Sequence, residues 1–166
     1  MTTPSTVIGP RMGHDFAAST VRAEGRSAQR IRALGRCYVR TALGITFLAA
    51  VADRFGWWGA NGRTNVAWGD FGHFVHYTRM VNSFLPASLA PILAWAATAA
   101  EITLGLALLS GVCRRFAALG SGVLLLLFAL AMAASFGIKS PLNYSVFSAS
   151  AAAFLLFVSE NEESRT

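Results

Sequence analysis

Charged residues divide the chain into long uncharged runs: Thr41 to Ala52, Met80 to Ala100, Phe116 to Ile138 and Ser140 to Ser159. The last two reach the roughly 20 residues that cross a bilayer core of about 30 Å as a helix. The run after Arg40 is too short alone. Extended back to Ala33 it gives a full span, with Arg36 and Arg40 on its first two turns, where an Arg can snorkel to the headgroups. A second span opens at Pro91, a residue suited to a first helical turn, and stops at Gly111. The third covers Phe116 to Gly137, and the fourth runs from Pro141 to Ser159.

The stretch between the first two spans, 53–90, is too long for a simple turn. Within it Phe71, Phe74, Val75, Val81, Phe84 and Leu85 fall near helical spacing, with Asp70, His73, His76, Arg79 and Ser83 on the other side. That pattern predicts an amphipathic helix over 71–85, lying on the outer leaflet or capping the bundle. The expected fold is all-α: a polytopic membrane four-helix bundle with an additional interfacial amphipathic helix between spans 1 and 2.

Composition sharpens this. The chain is 54% hydrophobic and 13% charged, against about 25% charged in ordinary soluble domains. A soluble enzyme, a disordered tail and a disulfide scaffold are poor fits. The net charge of +6 invites a nucleic-acid reading, but the basic segment from Arg22 to Arg40 holds a single aromatic, Tyr38, rather than an interleaved pattern, and no recognition motif. No nucleic-acid partner is expected; the lipid bilayer is. Arg22 to Arg40 and the Arg114–Arg115 turn place both termini in the cytoplasm by the positive-inside rule, and anionic lipid adds attraction. Trp57 and Trp58 read as an interfacial belt, with Asp53 and Arg54 as a helix end and interface anchor.

Three regions follow: a mobile basic cytoplasmic arm (1–32), a four-span membrane domain (33–159) and an acidic cytoplasmic tail (160–166). The arm lacks the apolar core of a signal peptide, and Asp15 and Glu24 weaken a transit-peptide reading. Cys37 and Cys113 form no closely spaced pair, and both sit beside Arg on the cytoplasmic side, where thiols stay reduced. They read as small apolar fillers.

Glu101 is the one acid inside any expected span, near the middle of the second. Intramembrane carboxylates are functional candidates by default; the alternative is a protonated or paired Glu that joins two helices. Counting depth from the cytoplasmic ends makes Arg40 its expected partner, with Asp53 the third member of a candidate polar site. His73 and His76, with Asp70, have a spacing that permits a metal, but no further Cys or acid reinforces it, so no metal site is expected. Gly120, Gly122, Ser148 and Ser150 read as small residues for close helix packing. No P-loop, nucleophile elbow or dinucleotide fingerprint occurs.

The stretch Arg40 to Phe55 (RTALGITFLAAVADRF) resembles the opening helix of the DoxX family of bacterial membrane proteins. So does Phe84 to Gly111, where an intramembrane Glu is followed by Gly and an apolar run. The resemblance covers Arg36 to Val158. It implies a four-helix bundle in the bacterial cytoplasmic (inner) membrane, a link to sulfur or oxidative-stress redox chemistry, and polar family positions at Arg40, Asp53 and Glu101.

Two functional classes follow. The first is a non-catalytic membrane subunit or anchor for a redox partner protein. The second is a quinone-binding or quinone-reducing subunit, such as a DoxD-like thiosulfate:quinone oxidoreductase, in which Glu101, Trp95, Trp57 and Trp58 would line the quinone slot. No cofactor motif is evident, which favours the first; quinone is the one cofactor left open, as is homo-oligomerisation. Transport is weakened by the lack of inverted repeats.

Overall fold

The computed structural model describes residues 11–163, with side chains for 25–162. The described residues contain helices and no strands. Six α-helices follow in order: α1 (Arg11–Arg54), α2 (Phe71–Val81), α3 (Ala90–Ser110), α4 (Arg114–Phe136), α5 (Lys139–Asn143) and α6 (Val146–Glu163). A single 3-10 turn, Ala87–Leu89, leads into α3.

The chain divides into two units, residues 1–35 and 36–166. In the first, the part of the expected arm that is described is helical, and its residues 25–35 are exposed. Arg, Ala and Gln in that stretch are good helix formers, so low hydrophobicity does not prevent a helix. Residues 1–10 and 164–166 lie outside the described residues.

In the second unit, Leu43 and Phe47 of α1, Leu108 of α3, Ala117 and Ala118 of α4, and Ala153 and Leu156 of α6 form one buried core. Small residues bring the backbones together. A Cβ on Gly105 would lie 3.2 Å from the carbonyl oxygen of Gly44, so α1 and α3 touch main chain to main chain there. On α4, Gly122 takes the Phe154 ring against its Cα and accepts a hydrogen bond from Ser150 Oγ at 2.9 Å. Such contacts are how helices pack where lipid removes the hydrophobic drive between them.

Among the described residues, three segments are long and apolar enough to cross a membrane: Gly25–Arg54, Ala87–Ser110 and Arg114–Phe136. The expected fourth span differs. Pro141 falls in the short α5, and Ser145 adopts a left-handed conformation (φ 54°) that separates α5 from α6. Helix α6 then carries Glu160 and Glu162 near its end, which shortens its apolar length.

The expected interfacial helix is α2, which ends at Val81 rather than Leu85 because Asn82 caps it. It buries Phe74, Thr78 and Val81 and packs against α3 and α4. Its other face presents His73, His76 and Arg79.

Candidate functional site

The inner face of α3 repeats every three or four residues: Ala90, Ala94, Thr98, Glu101, Gly105 and Leu108 are buried. On α1 the matching face is Leu43, Phe47, Val51 and Arg54. Glu101 and Arg54 therefore meet across the α1–α3 contact. Arg54 Nη2 donates to Glu101 Oε1 at 2.7 Å, and both side chains are only 3% exposed. Arg54 Nη1 donates to Thr98 Oγ1 at 2.9 Å, and that hydroxyl donates in turn to the carbonyl of Ala94.

Aromatic rings roof the pair. The Arg54 guanidinium carbon lies 3.7 Å from the centre of the Phe74 ring and 5.2 Å from that of Trp68. A desolvated cation–π contact of this kind is worth about 2 kcal/mol. Asp53, next in sequence, holds the roof in place: its Oδ2 accepts the backbone N–H groups of Ala67 and Trp68 at 3.0 and 2.9 Å. One carboxylate thus orders the loop that carries one of the covering rings.

Arg40, expected as the partner of Glu101, is not. Its guanidinium lies over Gly111, 3.5 Å from where a Cβ there would stand. The reason is the lean of helical side chains toward their own N-terminus. In antiparallel α1 and α3, Arg54 and Glu101 lean toward each other, whereas Arg40 and Glu101 lean apart. From the Gly44–Gly105 contact, Arg54 lies ten residues along α1 and Glu101 four residues along α3, an axial gap of about 9 Å at about 1.5 Å per residue. The two extended side chains close it.

The three Trp residues expected around Glu101 do not cover it. Trp57 and Trp58 are exposed, and Trp58 Nε1 donates to the Ala49 carbonyl. Trp95 is 56% exposed and packs against Phe71, ring centres 4.3 Å apart, and Phe55. The rings over the ion pair, Trp68 and Phe74, were missed in the sequence, as was Thr98.

Asp70 caps α2, its Oδ1 accepting from His73 N and its Oδ2 lying 2.6 Å from His73 Nδ1. The His73 amide, and then its ring, hold the Asp70 carboxyl below the usual carboxylate range. His76 takes no part in that contact. Among the described residues, no three His, Cys, Asp or Glu side chains converge as a metal site requires. Cys37 and Cys113 are exposed free thiols rather than buried fillers.

Fold and site together define a multi-pass membrane protein built around an intramembrane ion pair. The family model for the methylamine utilisation protein MauE matches residues 29–157, and the chain belongs to this family. That family is one of membrane proteins associated with methylamine utilisation, a redox system. No curated protein and no solved structure matches. The family match overturns the resemblance to DoxX. Ala- and Leu-rich spans with one Glu and a following Gly are easily shared, so they did not discriminate between the two families.

Proposed function

We propose that the protein is a non-catalytic membrane subunit that serves a redox system acting on small amines. The observation that carries this reading is the state of Glu101. Its carboxylate is engaged by Arg54 beneath Phe74, which suits a structural core that presents a partner-binding surface more than an open substrate slot. Membership of a family named for methylamine utilisation supports the redox association. Quinone binding is favoured less, because Trp57 and Trp58 stand exposed instead of lining a slot beside Glu101.

The test is gentle purification of the full-length protein in mild detergent, with mass spectrometry of what co-elutes and an ultraviolet–visible spectrum. The expected result is a redox protein in stoichiometric amount and no chromophore on the isolated subunit. Stoichiometric quinone retained by the isolated subunit, and reduced there by an added donor, would overturn the reading.

We also propose that α6 crosses the membrane as a fourth span, completing a four-helix bundle in the bacterial cytoplasmic membrane with both termini inside. Support comes from the Ala153 and Leu156 contributions to the common core and from the close pairing of α6 with α4. The Arg54 charge is spent on Glu101 inside the protein. The opposite side then retains only Arg63, Arg79 and Lys139, which widens the positive-inside asymmetry against Arg22 to Arg40, Arg114 and Arg115. A C-terminal fusion reporter is expected to be active in the cytoplasm; activity only in the periplasm would exclude this topology.

A further inference from the structure

Two arginines from different helices meet where α3 ends. Gly111 closes α3 in a left-handed conformation (φ 74°), its N–H bonded to the Ala107 carbonyl, and α4 begins at Arg114. A Cβ on Gly111 would stand 3.3 Å from Arg114 Nε, 3.8 Å from Arg114 Nη2 and 3.5 Å from Arg40 Nη1. Both guanidinium groups therefore stand over one point. The lean of helical side chains toward their own N-terminus explains the meeting. Helices α1 and α4 run in the same direction, each antiparallel to α3, so Arg40 and Arg114 reach back toward the same membrane surface.

The protein supplies little to balance this charge. Arg114 Nε donates to the Gly111 carbonyl at a long 3.3 Å. Among the described residues neither guanidinium pairs with a carboxylate. The C-terminal end of α3 offers roughly half a negative charge, against two cations that cannot be deprotonated. Arg115 does not join the pair; it lies over the Phe116 and Phe157 rings, toward α6. Cys113 gives α4 no side-chain cap, so the first-turn N–H groups beside Arg114 have no intrahelical partner. Two guanidinium forks that converge without an acid match the oxygens of a phosphate group.

The surroundings point to one kind of phosphate. The turn 111–113 lies between the membrane-crossing segments Ala87–Ser110 and Arg114–Phe136, which puts it at headgroup level. Val112 and Phe116, two residues to either side of Arg114, are 60% and 70% exposed. Charged donors beside bare apolar side chains suit an amphiphile. We propose that Arg40 and Arg114 form a binding site for the phosphate of an anionic phospholipid, which seats one headgroup at the α3–α4 turn while its chains pass Val112 and Phe116. This is a defined site for one lipid, distinct from the general attraction of a basic segment for an anionic surface.

Native mass spectrometry of the full-length protein in detergent, titrated with phosphatidylglycerol, tests the site. One phosphatidylglycerol is expected to be retained per chain. Phosphatidylcholine, whose trimethylammonium group would meet the guanidinium pair, is expected to be retained far less. A hydrogen bond to a charged group is worth about tenfold in affinity or more, so Arg40→Gln and Arg114→Gln are each expected to weaken retention by about that factor. Arg114 is exposed, so its variant keeps the test if Arg40→Gln fails to fold. Arg30→Gln with Arg32→Gln removes two charges from exposed helix outside the site and is expected to leave retention unchanged. Failure to retain phosphatidylglycerol overturns the proposal. So does retention that the Arg30 and Arg32 double variant lowers as much as Arg114→Gln does. Inorganic phosphate is the last arm: if it binds the lipid-free protein through Arg40 and Arg114 and displaces phosphatidylglycerol, the site belongs to free phosphate, which overturns the lipid assignment.

Discussion

Glu101→Leu is expected to lower stability by about 3–5 kcal/mol, the cost of stranding one partner of a buried pair. The reason lies in what remains. Arg54 cannot shed its proton, so it would sit as a cation without a counter-charge, left with the Thr98 hydroxyl and the ring faces. Arg54→Met is expected to cost less. The Glu101 carboxyl it strands can take up a proton, and Met keeps most of the contact with Phe74 and Trp68. Combining the two substitutions is expected to return most of the loss, because a buried ion pair replaced by apolar groups of similar volume is often close to neutral. Adding Arg40→Met to Glu101→Leu is expected to return nothing, since Arg40 lies at Gly111. Thermal melting of the four variants in one detergent measures all of this. Strict additivity of Arg54→Met and Glu101→Leu would show that the pair carries no coupling energy.

That experiment also marks how far the sequence could be read. Glu101 was conspicuous as an acid in an uncharged run, and the helices follow from such runs because bilayer thickness sets their length. The site's chemistry was half legible for the same reason: an isolated intramembrane acid implies a partner, but not which one. Arg54 was hidden by its position. An Arg that closes a span beside paired Trp residues looks like an interface anchor, and only the register of Leu43, Phe47, Val51 and Arg54 places it inward. Depth counted along Cα positions pointed to Arg40, since it ignored which way the side chains lean. Phe74 was legible as part of an apolar face on α2, yet not as a lid over a charge. The left-handed turn at Ser145 left no signal, because a non-glycine residue with positive φ follows from tertiary context. Family membership was the least legible, as the Leu and Ala that fill these spans satisfy lipid and carry little else.

Gly44→Val is expected to cost about 1–3 kcal/mol or more, the range for forcing extra atoms into a packed interface. A Cβ at Gly44 would already stand 2.8 Å from Leu109 Cγ and 3.1 Å from the Gly105 carbonyl oxygen. The Leu side chain can rotate away; the backbone oxygen cannot. Gly44→Ala should therefore be the milder change, and Leu109→Ala should recover part of its loss. Val adds two methyl groups on the same carbon, fixed at χ1 in a helix, and its clash with backbone requires α1 and α3 to separate. Separation at Gly44 also pulls on Arg54 and Glu101, which meet across the same pair of helices. In the Gly44→Val background, Glu101→Leu is accordingly expected to cost less than it does in the native chain. Melting of the single and double variants gives the coupling directly. A Gly44→Val protein that melts like the native one would mean that the α1–α3 backbone contact is loose, and that the ion pair does not depend on it.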